Sequence, residues 1–526
     1  MYSHRLRWPP LVAIAGLVAV VWLPVGVMFW DAFTSGARPS ALDQRFCSLL
    51  WQSVLVAGGT AAFAALLGLP TGFMLARVQF PGRAVVRASQ VLPLLVPPYI
   101  SAIGWMHMVG KNGALNRWLS GLLGLAEPLI NLYTIGGVIW VLGLSMFPLV
   151  SLIVMAALEH TSPDFEEDAR LYASNWQVLC FVTLPLITPA LLSAMLIVSI
   201  LTLGEFAVPS FFAVNVYAVE VFTRFGGFFD FRGGTIASLP LLLIVLTAFA
   251  LYRWLASQWL TAGVEGSQVM TRPLAIGRWR WLAMAFCWFP IILAVVLPLC
   301  ALAWHAPAVA DYTFAWSVAQ SEATNSLEFS ILAATLAVVL GLPVASLIVR
   351  SHARPSTVSE WLTLSSLAVP TTVLGIGLIR LWNRGVPFVW VYHSLWIVVL
   401  AMLARPLPLA VLALAAAWRQ VPVVYEEFAR VEGASLMQIA RRVLFPLLRP
   451  GLIVAWCLAF VVAITELPAV LLVYPPGHAT LPVRIYTMQH DGVAENVAAL
   501  CLILITITWV PVGIAWLLAR TTEGAG

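Results

Sequence analysis

The sequence predicts an all-α polytopic membrane protein with about twelve transmembrane helices, arranged as two parallel six-helix repeats. Three observations lead to this fold class. The chain has 526 residues, of which 61% are hydrophobic and 10% charged. Its apolar runs are about 20 residues long, enough for a helix to cross a hydrocarbon layer of about 30 Å. Its second half repeats the first, in sequence order.

Twelve apolar runs are long enough to span a membrane. They lie at roughly 11–30, 52–76, 88–109, 133–157, 186–208, 236–256, 282–304, 327–349, 361–381, 394–417, 447–473 and 497–519. The period-two alternation of barrel strands is absent from these runs, so closed helices are expected. The first run is long for a signal peptide and no small-residue cleavage site follows Trp30, which predicts a retained helix.

The distribution of basic residues predicts the orientation of these spans. With the N-terminus inside, the inside segments carry about twice as many Lys and Arg residues as the outside segments. This bias favours cytoplasmic N- and C-termini. The placement of the basic residues thus reports topology, and the formal net charge of +5 gives no reason to expect nucleic acid as a partner. The six cysteines have no paired or metal-type spacing, so no disulfide framework is expected.

The internal repeat is visible as a constant offset. The stretch "SVLVAGGTAAFAALLGLPTGFMLARV" at 53–78 aligns with "SLEFSILAATLAVVLGLPVASLIVRS" at 326–351. With the same offset of 273, the paired residues are Ser53 with Ser326, Pro70 with Pro343, Arg77 with Arg350, Pro97 with Pro370 and Gly104 with Gly377. Farther along, the second copy is shorter and the offset falls to about 260.

The repeat predicts the domain organisation. The first half covers 1–256, an inside linker covers 257–281, and the second half covers 282–526. Six spans in each half give both halves the same orientation in the membrane. Parallel repeats of this kind pack around an axis along the membrane normal, and a transport pathway is expected at their interface.

A charged segment lies between the fourth and fifth span of each half. It reads "EEFARVEGASLMQIARRVLFPLLRPG" from Glu426 and "EEDARLYASNWQVLCFVTLPLITPAL" from Glu166. Apolar residues recur at helical spacing after Gly433, so we predict two short helices joined by a bend there. Equivalent loops on one side indicate a partner with two-fold symmetry. A helix lying on the membrane, with Arg against lipid phosphates, is the alternative.

The second segment resembles the EAA loop of binding-protein-dependent ABC importer permeases of the type I fold. That pattern is Glu-Ala-Ala, three residues, Gly, and a hydrophobic helix ending in Pro. The whole chain is similar to the fused two-half form found among ferric iron permeases. The resemblance implies coupling to a cytoplasmic ATPase through Glu166, Glu167, Ala169 and Arg170 in the first loop, and Glu426, Glu427, Ala429, Arg430 and Gly433 in the second. Phe428 replaces the first Ala, and the first loop lacks the Gly.

The resemblance also implies a function. The chain would be a multi-pass permease subunit of the bacterial inner membrane, passing a solute from a periplasmic substrate-binding protein to the cytoplasm. Two copies of a P-loop ATPase would supply the energy. The single lysine, Lys111, is followed by Asn112, so this chain has no P-loop. We expect no enzyme activity and no cofactor on it, with ATP bound by the partner. Membrane lipid surrounds it.

Ferric iron is the solute that the resemblance favours. Aminoethylphosphonate, thiamine or another small solute are the alternatives, and a secondary transporter with two halves is a less favoured class. The eight His residues have no ligand-type spacing, so a metal site on this chain is left unknown.

Two carboxylates lie inside apolar runs. Glu205 and Glu466 each follow an aligned proline by sixteen residues. An ionisable group inside a span usually faces the bundle interior or a water-filled cavity. Either a neighbouring helix satisfies these acids, or they flank the pathway and attract a cation. Arg405, in the tenth span, is a candidate counter-charge and a third pathway candidate.

An outside segment follows the fifth span of each half. Glu220 and Arg224 lie in 216–225, and Arg484 lies in 481–489, among aromatic and β-branched residues. These segments either pack over their own bundle or form a docking surface. We expect docking of a two-lobed binding protein, with one lobe on each half.

Overall fold

The computed structural model describes residues 14–34, 44–111, 113–124, 127–160, 164–228, 230–262, 274–351, 354–491 and 493–523. Across these ranges the regular secondary structure is helical, apart from a two-residue parallel pairing of Val78–Gln79 with Leu274–Ala275. The prediction of an all-α membrane protein is confirmed.

The helices of the first half and the linker follow in chain order. They are Leu23–Thr34, Gln44–Arg77, Arg83–Ser89, Leu92–Leu95, Pro98–Val109, Ala114–Leu123, Ile135–His160, Asp164–Arg170, Asn175–Val178, Leu184–Leu203, Ala207–Phe211, Tyr217–Phe222 and Phe231–Ala262, with a 3-10 turn at Gly277–Trp279. Wider π-helical turns lie at Val18–Trp22, Leu179–Thr183 and Thr223–Gly227.

The second half repeats much of this order. Its helices are Arg280–Ile291, Leu297–His305, Val309–Arg350, Arg354–Ser366, Thr371–Trp382, Val389–Tyr392, Leu395–Ala404, Pro406–Arg419, Val423–Val431, Leu436–Ile439, Phe445–Ile464, Pro468–Val473, Leu481–Asp491 and Ala494–Glu523. Its π-helical turns lie at Ile292–Val296 and Ala440–Leu444.

Every predicted span coincides with a helix or a bent helix pair. Among the described residues, nine helices are long and apolar enough to cross a membrane, and three bent pairs bring the number to twelve. The bent pairs replace the predicted runs at 88–109, 361–381 and 394–417, with bends of 89°, 105° and 48°. The apolar pattern alone did not indicate these bends.

Aligned prolines account for the two sharpest bends. Pro97 and Pro370 are the N-cap residues of the helices that follow, and both have extended backbones with ψ of 135° and 137°. Proline has no N–H to donate and disfavours helical conformation in the residue before it. The preceding helix therefore ends at Leu95 in the first half and at Ser366 in the second.

The helices form two compact units that interleave along the chain. One contains Met1–Pro39, Phe225–Ser238 and Ala308–Gly526, and the other contains Ser40–Arg224 and Leu239–Pro307. The predicted boundaries at 256 and 282 follow the repeat in the sequence, whereas packing assigns the first span of each half to the unit holding most of the other half. The division at 1–256, 257–281 and 282–526 therefore remains a description of the sequence.

Two glycines that are aligned in the repeat allow the first span of the opposite half to pack closely against each unit. A Cβ built on Gly377 would lie 2.8 Å from the carbonyl carbon of Pro24, within one unit. A Cβ built on Gly104 would lie 2.6 Å from the carbonyl oxygen of Pro298, within the other unit. Only glycine permits backbones to approach this closely. Each unit therefore depends on a helix that is remote in the sequence.

One helix in each unit is long enough to extend beyond the apolar run predicted for it. We call Gln44–Arg77 the first long helix and Val309–Arg350 the second long helix. The first packs closely on Ile135–His160, where Gly72 leaves room for the carbonyl of Ser151. The first and second long helices end at Arg77 and Arg350, next to the two charged loops.

Candidate functional site

The second charged loop folds as a helix, a turn and a second helix, as predicted. The second loop helix, Val423–Val431, ends at a turn in which Gly433 has a φ of +80°. The N–H of Ala434 donates to the carbonyl of Ala429 at 3.0 Å, which closes the turn. Ser435 then caps the next helix through a capping box. The conformation at Gly433 is one that a residue with a Cβ adopts at a cost.

The second helix of this loop continues into the membrane span. Leu436–Ile439 runs through the π-helical turn Ala440–Leu444 into Phe445–Ile464, so that one apolar helix covers Leu436–Ile464. The predicted short helix is therefore the beginning of the fifth span. A force on this part of the loop acts directly on that span.

The first charged loop bends without a glycine. The first loop helix, Asp164–Arg170, is followed by a tight turn in which the N–H of Ala173 donates to the carbonyl of Ala169 at 2.9 Å. Ser174 then exchanges hydrogen bonds with Gln177, as Ser435 does with Gln438. Because the first loop is one residue shorter, its turn closes without a left-handed residue.

Both loops expose apolar side chains next to polar ones. The exposed fractions reach 84% for Val431 and 92% for Tyr172. Other large exposed apolar residues of the loops include Leu171, Trp176, Val424, Phe428, Leu436 and Met437. Glu427 is exposed among them, whereas the Glu167 side chain lies outside the described ones. Exposed apolar groups beside charges are typical of a docking surface.

Two of the predicted coupling residues point into the protein. The carboxylates of Glu166 and Glu426 are buried, with side chains 7% and 8% exposed. Arg77 Nη2 lies 3.1 Å from Glu166 Oε1, and Arg350 Nε lies 2.8 Å from Glu426 Oε1. These arginines are the last residues of the two long helices. Each glutamate therefore fastens its loop helix to a long helix.

Further contacts stabilise each buried carboxylate and its arginine partner. Arg170 and Arg430, one turn along the loop helices, lie 3.3 and 3.4 Å from the same carboxylates. Thr183 donates to Glu166 at 3.2 Å, and Arg350 donates to the carbonyl of Val421 at 2.8 Å. Removing one partner of such a pair leaves a buried charge uncompensated. The aligned arginines were visible in the sequence, but nothing there indicated their partner.

Glu466 lies where three helix breaks meet. Its side chain is fully buried; it accepts a hydrogen bond from the N–H of Ala469 at 3.3 Å, and Arg405 Nη1 lies 3.5 Å away. The hydroxyl of Thr371 lies close to the same carboxylate. These partners begin or precede the helices Pro468–Val473, Pro406–Arg419 and Thr371–Trp382. The structure thus brings Arg405 to Glu466.

Glu205 also lies at the start of a short helix. Its carboxylate accepts hydrogen bonds from the N–H groups of Ala207 and Val208 at 3.1 and 3.4 Å, at the start of Ala207–Phe211. The sequence positions that correspond to Thr371 and Arg405 are Pro98 and Ser145. Proline cannot donate, and Ser145 donates to its own helix. The two acids are therefore equivalent in sequence, whereas the residues at these two neighbouring positions differ between the halves.

A family model matches this chain in two segments, at 64–260 and 337–522. Its description is a binding-protein-dependent transport system inner membrane component. The chain belongs to this family. Two matched segments in one chain agree with the internal repeat, and the permease carries both halves in a single polypeptide.

Curated relatives of the permease include ferric transport proteins. It is 24% identical to the ferric transport system permease protein FbpB of Actinobacillus pleuropneumoniae, over 88% of this chain and 70% of that protein. It is 24% identical to the Fe(3+)-transport system permease protein FbpB 2 of Haemophilus influenzae, over 89% of each. It is also 31% identical to the sulfate transport system permease protein CysW of Synechocystis, over 37% of this chain and 70% of that protein.

The residues expected to dock a binding protein are paired within the permease. Glu220 lies 2.9 Å from Arg45 and 3.1 Å from Arg224, and its side chain is 11% exposed. Arg224 also lies 4.3 Å above the ring of Phe46. Arg484 lies 3.9 Å from Glu322. Glu220 therefore faces its own bundle, while the two arginines keep partly exposed guanidinium groups.

No group of three or more His, Cys, Asp and Glu side chains that could hold a metal ion occurs among the described residues. The rings of His107 and His305 lie close together, with centroids 4.3 Å apart. Two ligands are too few for a closed metal site.

Proposed function

We propose that this chain is the membrane subunit of an ATP-driven importer that carries ferric iron into the bacterial cytoplasm. The permease lies in the inner membrane with both termini in the cytoplasm. It binds two copies of a P-loop ATPase through the two charged loops and receives the ion from a periplasmic binding protein. The relatives that align over most of the chain and are named for ferric transport support the solute.

The duplicated loop carries the proposed ATPase contact. Each copy presents exposed apolar residues on a short helix, and each is held from behind by a buried carboxylate. Such a helix suits a hydrophobic groove on a partner. Two copies in one chain account for two ATPases, so the purified complex should contain two ATPase subunits for each permease. One ATPase per permease, or none, would refute this stoichiometry.

Uptake by reconstituted vesicles tests the solute. The permease is co-purified with the ATPase and binding protein encoded beside it, placed in proteoliposomes loaded with ATP, and supplied with radioactive ferric iron. ATP-dependent accumulation is expected. An assembled complex that transports a different solute would overturn iron while leaving the importer intact.

An oxyanion is the second candidate solute. The similarity to a sulfate permease supports it, and so does Arg405, whose side chain is 37% exposed although it lies within a predicted span. A guanidinium is suited to bind sulfate or molybdate. Accumulation of radioactive sulfate or molybdate in the same vesicles, without iron uptake, would favour this candidate over the first. Aminoethylphosphonate and thiamine are tested in the same way.

A C-terminal reporter tests orientation. A green fluorescent protein fused after Gly526 should fluoresce and a phosphatase should be inactive, since only the former matures in the cytoplasm. Active phosphatase would reverse the proposed topology.

A further inference from the structure

Each of the two long helices is bonded at two separate places, one at its last residue and one closer to its N-terminus. At the last residue lie the buried ion pairs with the loop helices. At the other place lie two further helices, Tyr217–Phe222 and Leu481–Asp491, which we call the first and second distal helix. These overlap the segments 216–225 and 481–489, which were predicted to face the binding protein.

The bond to the distal helix is the same in both copies. The N–H of Tyr217 donates to Ser53 Oγ at 2.7 Å, and the N–H of Leu481 donates to Ser326 Oγ at 2.7 Å. Both bonds are buried, and each joins the first residue of a distal helix to a long helix. Ser53 and Ser326 are aligned in the sequence. The arrangement therefore belongs to the repeat.

Neighbouring contacts reinforce each bond. In the first copy, Arg45 lies 2.9 Å from Glu220 on the distal helix. In the second copy, Glu322 pairs with Arg484, and Asn325 donates to the carbonyls of Gly477 and Ala479 at 3.1 and 3.0 Å. The partners differ in type, but each long helix holds its distal helix at the same place.

The helix between the two attachment points is continuous. Ser53 and Arg77 are 24 residues apart, as are Ser326 and Arg350. At 1.5 Å per residue this is about 36 Å. Pro70 and Pro343 lie inside the helices without ending them. The non-helical residue of the second long helix, Ala319, lies outside the interval.

A rigid connection follows from these bonds. Displacing a distal helix relative to its long helix would leave a buried N–H without an acceptor, which is unfavourable. Displacing a loop helix would separate a buried ion pair. The helix between these contacts is held by its own backbone hydrogen bonds and has no break. Motion of the distal helix is therefore transmitted along the long helix.

We propose that each long helix ties the distal helix of its half to the loop helix of the same half, and that Ser53 with Arg77 and Ser326 with Arg350 are the positioning residues of the two ties. The mechanical connection does not depend on the proposed function, whereas the signalling role given to it below does. In an importer, the distal helices respond to the binding protein and the loop helices act on the ATPase. The ties would signal docking on one side of the membrane to the motor on the other.

Hydrogen exchange in the permease alone, in lipid nanodiscs, tests the tie without either partner. Ser326→Ala removes the distal bond of the second copy. Backbone amides of the second loop helix and its turn, 423–439, should then exchange about two- to fivefold faster, since one buried hydrogen bond corresponds to about that factor. Amides of the first loop, 164–178, should not change. Ser53→Ala should give the reciprocal result.

A matched control lies on the same helix. Ser330 is also buried, but its hydroxyl donates to the carbonyl of Ser326 within the helix. Ser330→Ala should leave exchange in both loops unchanged. Unchanged exchange in the loop of the mutated half overturns the proposal. Equal acceleration in both loops also overturns it, since that outcome indicates general loosening of the protein.

A double variant tests the other end. Arg350→Gln should itself accelerate exchange in the second loop, and adding Ser326→Ala should increase it no further, because the tie is already broken. Additive effects would mean that the two contacts act independently. Arg350→Lys replaces Arg350→Gln if the latter does not fold.

The last experiment measures ATP hydrolysis by the assembled importer. Ser326→Ala should reduce the stimulation of ATP hydrolysis by the iron-loaded binding protein, with unstimulated hydrolysis retained. If the exchange results hold and the unaltered complex shows no stimulation, the proposed function fails and the tie stands. If stimulation is normal in the unaltered complex and in Ser326→Ala, the tie has no part in signalling.

Discussion

Ala213 and Gly477 occupy the same position in the two repeats, and both have a left-handed backbone, with φ of 53° and 84°. Each follows the short helix after the equivalent glutamate of its half, Glu205 or Glu466, and precedes a distal helix. In this region the repeat offset is 264, the same offset that pairs Val219 with Val483. Both repeats therefore form this turn. In the first copy the left-handed position is occupied by alanine, whose Cβ disfavours that conformation.

Ala213→Gly should stabilise the permease. The left-handed conformation is unfavourable by about 1–2 kcal/mol for a residue with a Cβ, so relief of that strain outweighs the added freedom of glycine in the unfolded chain. The expected gain is about 0.5–1 kcal/mol, seen as a higher midpoint of thermal unfolding in detergent. Gly477→Ala should lower the midpoint. Ala218→Gly, within the first distal helix, is the control and should also lower it. A lower midpoint for Ala213→Gly would contradict the strain.

Gly433→Val should impair coupling more than Ala173→Val. Valine at a φ of +80° strains the turn of the second loop, whereas the first loop turns without a left-handed residue. Transport and stimulated ATP hydrolysis should fall severalfold for Gly433→Val while the protein remains folded and in the membrane. Gly433→Asn, which tolerates this conformation better, should lose less. Equal losses from the two valine variants would refute the asymmetry between the loops.

Arg405→Ala should destabilise the permease more than Glu466→Gln. The arginine variant leaves a fully buried carboxylate without its counter-charge, which is unfavourable. The glutamine variant leaves a guanidinium that is 37% exposed and can reach other partners. The double variant should be more stable than Arg405→Ala. Thermal midpoints of the three variants measure this, and equal midpoints for the two single variants would argue against the ion pair.

Glu466→Gln should also reduce uptake with binding-protein docking intact, if the acid handles a cation. The variant keeps the shape of the side chain and removes its charge. Uptake in proteoliposomes is compared with docking affinity for Glu205→Gln, Glu466→Gln and the double variant. Unchanged uptake in the double variant would leave both acids with only a structural role at the starts of helices and would lower the case for iron.

Tyr217→Phe should be tolerated at neutral pH and should flatten the alkaline stability profile. Burial raises the pKa of Tyr217 from 10.0 to about 12, because the ionised phenolate would lose its solvation. The neutral phenol favours the folded state below pH 10, and this contribution is lost between about pH 10 and 12 as the unfolded chain ionises first. Thermal midpoints measured across that range should fall less steeply for the variant. Parallel profiles for the two proteins would count against the shift.

The sequence was sufficient for the helices, the repeat and the loops, because each has a local signature. Apolar runs report spans, an offset of 273 reports duplication, and Gly433 reports a turn. The ion pairs of Glu166 and Glu426 could not be predicted, since they join residues 89 and 76 positions apart. The loop pattern suggested that both acids face a partner, whereas helical periodicity in a seven- or nine-residue helix is too short to show which side is buried.

The bends escaped prediction for a different reason. Hydropathy averages over a window and does not distinguish a straight span from two short helices meeting at Pro97 or Pro370. The environment of Glu466 was likewise hidden, because it is assembled from three helix breaks. Arg405 was a candidate counter-charge for either acid, and only the structure assigned it to Glu466.

The exchange of first spans has a consequence for biosynthesis. Pro24 leaves the ribosome early, yet the backbone groove at Gly377 that receives its helix is made about 350 residues later. At about 5–20 residues per second, the first span waits on the order of 20 to 70 s in the bilayer before its final partner exists. By contrast, when the first span of the second half is made, Gly104, against which its Pro298 packs, has already been synthesised. Assembly of this permease is therefore vectorial: one unit can close as soon as residue 298 has been inserted, and the other closes only near the end of translation.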